Sequence, residues 1–134
     1  MKNVKTLSHY FTINRRYARS INLERDLDSV EAVIGYIPTE RSLNALRRII
    51  ASFEQTSSNR AWTLTGVYGT GKSAFAHYLA ALCAPEKSEL RKQSFSIIEN
   101  TLESAEYDRL MSAIPAKGFF VQLRLLSVSL WHIP

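Results

Sequence analysis

Eight consecutive residues, Gly66-Val67-Tyr68-Gly69-Thr70-Gly71-Lys72-Ser73, match the pattern G-x-x-x-x-G-K-[ST] at every fixed position. From average residue usage, a chance match in a chain of this length is on the order of 1% or less. No other feature constrains the fold as strongly, because the pattern works only in one setting. It needs an extended segment entering the loop and a helix leaving it. Both are legible here. Ala61-Trp62-Thr63-Leu64-Thr65 alternates and is rich in strand formers, so it reads as a strand. Lys72 to Cys83 is dominated by Ala, Phe, Tyr and Leu and reads as a helix that Pro85 stops. Its surface is apolar nearly all round, which suggests burial against a sheet.

Each fixed residue of the loop has a physical task. A backbone that wraps a phosphate closely leaves no room for side chains, so Gly66 and Gly71 keep it bare, and Gly69 adds slack. The amides from about Gly69 to Ser73 then form a nest of donors, with Thr70 inside it. Ala74 follows in the first turn of the helix, whose positive end also favours an anion. Lys72 reaches the β- and γ-phosphates as a mobile charge and is the candidate catalytic residue. The Ser73 hydroxyl is the candidate ligand for Mg²⁺, a hard cation that prefers oxygen. The cofactors implied are ATP and Mg²⁺. The plainer alternative is a glycine-rich turn that holds no ligand.

Upstream, Gly35-Tyr36-Ile37-Pro38-Thr39 punctuates the chain. Pro38 biases Ile37 toward extended geometry, Thr39 is a good N-cap, and Glu40 adds negative charge to the first turn that follows. Leu43, Leu46, Ile49, Ile50 and Phe53 then recur at helical spacing, so an amphipathic helix is expected from about Glu40 to Phe53. Residues 1–36 show no long period. Tyr10 to Ile13 reads as a short strand or arm, and Leu23 to Leu27, with charges of both signs, as a surface segment. Downstream, Glu86 to Ile114 has helical character. Val121 to Leu125 and Ser127 to Leu130 alternate like one long or two short strands.

The composition is that of an ordinary globular chain, 46% hydrophobic and 22% charged. One cysteine, Cys83, excludes an intrachain disulfide and a cysteine-built zinc site. The first residues lack the apolar run of a signal peptide, and no apolar run is long enough to span a bilayer, so the expected setting is cytoplasmic with no membrane partner. The net charge of +5 is uneven: residues 1–65 hold ten Lys or Arg against six Asp or Glu. Arg15, Arg16 and Arg19 could meet a nucleic-acid backbone with Tyr17 stacked on a base. A solvated basic face is the simpler account of them.

A Pro-Thr-capped helix, a strand, and then G-x-Y-G-T-G-K-S resemble the start of an AAA+-type or STAND-like ATPase module. The likeness is greatest to large bacterial ATP-binding proteins of phage-defence systems and runs from about Arg19 to Leu82. The resemblance implies an α/β fold, a partial P-loop sheet with flanking helices. Residues 1–38 would form an N-terminal arm and adenine-side segment, and residues 39–134 an incomplete P-loop NTPase domain. It also implies that Tyr36 and Ile37, with Pro38, line the adenine pocket. An alternative is that they only fix the entry of the helix into the core.

Such ATPases also need a Walker B strand ending in Asp-Glu, with sensor and arginine-finger residues. Phe95-Ser96-Ile97-Ile98-Glu99 has the outline but lies within a helical stretch, and Phe119 to Leu130 contains no carboxylate. Only 61 residues follow Ser73, too few for the remaining strand–helix units. The expectation is therefore the amino-terminal, ATP-binding part of a larger ATPase, acting in phage defence or on nucleic acid. A protein partner or a second copy would cover what a partial sheet leaves exposed. The alternative of another class is an interaction or nucleic-acid-binding fragment with an idle nucleotide site. Elsewhere, His9, His77 and His132 are scattered, and His77 reads as structural or surface. No Asn-Lys-x-Asp guanine-reading motif is present.

Overall fold

The computed structural model describes residues 6, 9–12, 21–54 and 61–119. Six helices order these residues: α1 (Leu23–Asp26), α2 (Val30–Ile34), α3 (Glu40–Glu54), α4 (Lys72–Leu82), α5 (Glu89–Glu99) and α6 (Ser104–Ala113).

Local chemistry sets most of the helix starts. Ser29 caps α2 by accepting from the Ala32 amide, and Ser88 caps α5 by accepting from the Arg91 amide. At α3 the capping is reciprocal. Thr39 Oγ1 accepts from the Ser42 amide at 3.3 Å, and Ser42 Oγ accepts from the Thr39 amide at 2.8 Å. The Leu43, Leu46, Ile49 and Ile50 stripe of α3 is buried, and burying each such side chain contributes roughly 1.5–3 kcal/mol.

The helix α4 is the organising element. Phe75, Ala76, His77, Tyr78, Ala81 and Leu82 are all buried, and α1, α2 and α5 pack on it. The Tyr78 hydroxyl donates to Ser94 O at 2.8 Å, and burial holds the phenol well above its ordinary pKa. Also buried, His77 has Nε2 3.2 Å from Leu27 O, tying the turn after α1 to α4. On the other flank, α3 and α6 are joined by Arg47 with Glu106 and by Arg109 with Glu54.

These observations correct the expected fold class. Among the described residues there is no strand and no sheet, so the α/β partial P-loop sheet is overturned in favour of a helical body. Two physical reasons account for the difference. An all-round apolar helix needs an apolar cover, and neighbouring helices supply it as well as a sheet does. A strand exists only through ladder hydrogen bonds to a second one, and residues 61–65 have no such partner among the described residues. Those residues are exposed throughout, Trp62 and Leu64 included.

Residues 10–12 are likewise not a strand. The segment read as surface, Leu23 to Leu27, contains α1, with Leu23 and Asp26 buried. The alternating segments of residues 121–130 and the basic residues Arg15, Arg16 and Arg19 lie outside the described residues.

Candidate phosphate-binding loop

The loop of residues 66–71 is exposed and leads directly into α4. Its glycines Gly66, Gly69 and Gly71 all have positive φ, at 154°, 81° and 80°. At Gly69 and Gly71 a Cβ would meet nothing within 4 Å. Space is therefore not what demands glycine there; the left-handed backbone is. Gly71 itself is the N-cap of α4 (φ 80°, ψ 15°), and no side chain caps the helix. The first amides of any helix lack intrahelical partners. Those of Lys72, Ser73 and Ala74 begin an eleven-residue helix immediately behind a glycine turn. This is an arrangement suited to an anion.

Lys72 folds back over the loop. Its Nζ donates to Gly66 O at 2.9 Å and to Val67 O at 2.7 Å, with a longer approach of 3.5 Å to Thr70 Oγ1. The Thr70 hydroxyl in turn donates to Val67 O at 2.9 Å. A side chain added at Gly66 would press on Thr70 Oγ1 at 3.2 Å. The structure thus brings Gly66, Thr70 and Lys72 into one network. Ser73 and Ala74 follow in the first turn of α4, both half-buried. The roles of the Val67 carbonyl and of Thr70 as partners of Lys72 carried no sequence signal. They arise from the loop's curvature, and any residue type supplies a carbonyl.

The donor set suits phosphate oxygens: amides at an uncapped helix start, an ammonium turned into the loop and bare glycine backbone. The fit for Mg²⁺ is narrower. Among the described residues no group of three His, Cys, Asp or Glu side chains could hold a metal. Ser73 would contribute one hydroxyl to an ion held mainly by phosphate oxygens and water.

The two residues assigned to an adenine pocket lie apart in character. The Tyr36 ring is stacked on Tyr78, with centroids 4.3 Å apart and planes at 20°. It is half-buried, and burial raises its phenol above the ordinary pKa against the opposing effect of a hydrogen bond with Ser42. One face of the ring is thus committed to the core. Ile37 is 73% exposed. Glu99 ends α5 exposed on a helix, while Phe95 and Ile98 of the same segment are buried in the core.

No protein-family model, curated protein or solved structure matches the chain.

Proposed function

We propose that this chain binds a nucleoside triphosphate, ATP with Mg²⁺, through residues 66–74. The observation that supports this reading is a complete phosphate-loop sequence with a glycine turn and a helix start behind it, although residues 61–65 do not form the strand expected to enter such a loop. Three positive-φ glycines precede an uncapped helix start, and Lys72 is turned into the loop. Lys72 meets the β- and γ-phosphates, the amides of Gly69 to Ala74 bind phosphate oxygens, and Ser73 completes the Mg²⁺ shell. ATP is favoured over GTP because no guanine-reading motif is present. The wider role, the ATP-binding part of a multidomain ATPase in phage defence or acting on nucleic acid, rests on the resemblance of residues 19–82 alone.

Calorimetry of Mg-ATP with the whole chain tests the reading. A charged hydrogen bond contributes roughly 1.5–3 kcal/mol, so Lys72→Ala should weaken binding about ten- to a hundredfold. Ser73→Ala should reduce the gain from Mg²⁺ more than the metal-free affinity. Equal affinity for wild type and Lys72→Ala, or equal competition by GTP, would overturn the corresponding claim.

A second reading, contact with a protein partner or a second copy, is favoured by one observation. Tyr68 at the loop tip is 96% exposed and Val67 beside it 75%. Large apolar side chains in such positions are frequent at contact surfaces. A sedimentation series over concentration, with Val67→Ser and Tyr68→Ser as controls, tests it.

A further inference from the structure

The arginines of α3 are of two kinds. Arg47 is paired with Glu40 and Glu106, on the side that faces α6. Arg41 and Arg48 are exposed, and neither has a carboxylate partner among the described residues. Seven residues apart, they share one face of the helix, about 10.5 Å from each other along its axis. The Arg48 guanidinium lies over the Trp62 ring, 5.6 Å from its centroid. Trp62 is nevertheless 41% exposed, and the segment 61–65 that carries it is exposed throughout. From residue 41 to residue 65 the chain holds four arginines and a single acidic residue, Glu54. Glu54 is already taken by Arg109. A large aromatic thus stands in solvent beside cations that no acid among the described residues neutralises.

We propose that Trp62, with Arg48 and Arg41, is a docking site for single-stranded nucleic acid. A guanidinium on one face of an indole leaves the other face for a base. The N–H groups at its edge stay available to a phosphate, as those of a carboxylate-paired arginine do not. Arg41 extends the same charge along the helix, so one strand meets a stacking surface and two successive cations. Chemistry narrows the occupant. An acidic peptide would answer the arginines and leave the indole unused. A duplex keeps its bases stacked inside, whereas a single strand presents them. None of the three residues belongs to the glycine-rich loop, so the site stands or falls apart from the nucleotide-binding reading.

Fluorescence anisotropy of labelled oligothymidylate, titrated with the full chain, tests the site. Wild type should bind it. Trp62→Ala should weaken binding roughly five- to a hundredfold, the range spanned by stacking of one base. Trp62→Phe, which keeps an aromatic face, should recover most of that loss. Arg48→Ala should weaken binding and also reduce the slope of log K against log salt by about 0.7, the share of one phosphate contact. Trp62→Ala should leave that slope as it is. A variant that merely unfolded would lose affinity and slope together. Arg109→Ala and Lys72→Ala each remove one cation elsewhere and should cost far less than Arg48→Ala. No binding by wild type, or no loss in Trp62→Ala, overturns the site. An equal loss in Arg109→Ala overturns it in favour of diffuse attraction, and an equal loss in Lys72→Ala in favour of the glycine-rich loop. Displacement of the strand by polyglutamate as readily as by unlabelled oligothymidylate overturns it in favour of an acidic protein partner.

Discussion

Arg91 donates from Nη2 to the main-chain oxygen of Ile114 at 2.9 Å, joining α5 to the end of α6. The same guanidinium donates from Nη1 to Pro115 O at 2.7 Å and to Ala84 O at 3.1 Å. It lies over the Phe95 ring, 5.3 Å from its centroid. At 5% exposure, Arg91 is a buried cation whose recorded partners are carbonyls rather than a carboxylate. Those carbonyls follow the ends of α4 and α6, where helix dipoles place negative partial charge. One side chain thus gathers the ends of α4 and α6 and fixes the far end of the helix that carries the loop.

Arg91→Met should therefore be costly although methionine fills a similar volume. Pro115 O keeps the Gly118 amide, but Ile114 O and Ala84 O lose the Arg91 donor, and an unpaired carbonyl in such a place costs roughly 1–3 kcal/mol, so a loss of about 2–4 kcal/mol is expected. Arg91→Lys should recover only part of this, because an ammonium cannot reproduce the planar fork. Urea unfolding measures both. A loss below about 1 kcal/mol for Arg91→Met would mean the clamp is incidental.

Gly118 completes the same junction. It has φ 75°, and a Cβ there would stand 2.5 Å from Cys83 O and 2.7 Å from the Ala84 carbonyl carbon. Both obstacles are backbone, so neither can swing aside. Phe119 N also donates to Cys83 O at 2.8 Å, holding the two segments together. Gly118→Ala should cost roughly 2–4 kcal/mol, from left-handed strain plus displacement of main chain. Cys83 reports the damage directly. It is buried, and burial pushes its thiol up to about 11, against the smaller opposing effect of Arg91. At pH 7.5 a thiol reagent should barely modify the folded wild type. It should modify Gly118→Ala faster in proportion to its open population. Equal labelling rates would show that the junction accommodates a methyl group.

How far the sequence revealed these relationships depended on distance along the chain. The helix α3 was legible because its cap, Thr39, and its apolar stripe are local signals, and it runs Glu40–Glu54 against an expected Glu40 to Phe53. The span of α4 followed from the loop pattern and Pro85. The expected strand at residues 61–65 was wrong, because five alternating residues cannot name the partner that a ladder requires. The four-residue α1 was hidden by its charges: among its described side chains Leu23 and Asp26 are buried and Arg25 is exposed, too few for a period. The Arg91 clamp joins groups 7, 23 and 24 residues away, and main-chain acceptors carry no sequence signature. In the candidate site the donors were legible and the engagement of Lys72 with its own loop was not.

The α3–α6 contact should respond to acid in a definite direction. Hydrogen bonding from Arg47 holds the Glu106 carboxyl below its ordinary value of 4.5, and Arg109 does the same for Glu54. Arg47 shifts upward in consequence and stays charged throughout. A carboxyl depressed in the folded state stabilises the fold above its unfolded pKa and loses that contribution as pH falls through the folded value. Stability should thus be level from neutrality to about pH 5 and decline below about 4.5. The pairs are largely exposed, so after solvent screening the Arg47–Glu106 contribution is at most about 1 kcal/mol. Melting curves between pH 7 and 3 for wild type and Glu106→Gln check this. The variant should be slightly less stable at pH 7 and converge with wild type at pH 3. Parallel curves would remove Glu106 from the account.

The last prediction concerns turnover. Phosphoryl transfer depends on positioned charge: the loop lysine and Mg²⁺, a carboxylate at the metal, a residue that orients water, and an arginine from the same or a neighbouring chain. Lys72 and Ser73 supply the first of these. The one segment with the outline of a carboxylate-ended strand, Phe95 to Glu99, is helical, with its apolar residues Phe95 and Ile98 committed to the core and Glu99 in solvent. An arginine finger alone accounts for about 10³–10⁵ in rate. The chain by itself should therefore hold ATP and cleave it at a rate far below 1 s⁻¹, in the range of loop-only catalysis. Glu99→Gln should leave that slow rate unchanged, since an exposed carboxylate on a helix end has no fixed relation to the phosphates. Phosphate release from the purified chain, with Lys72→Ala as background, is the measurement. A rate near 1 s⁻¹ that disappears in Lys72→Ala would show that a carboxylate of this chain reaches the metal. If Glu99→Gln abolished it too, Glu99 would be that group.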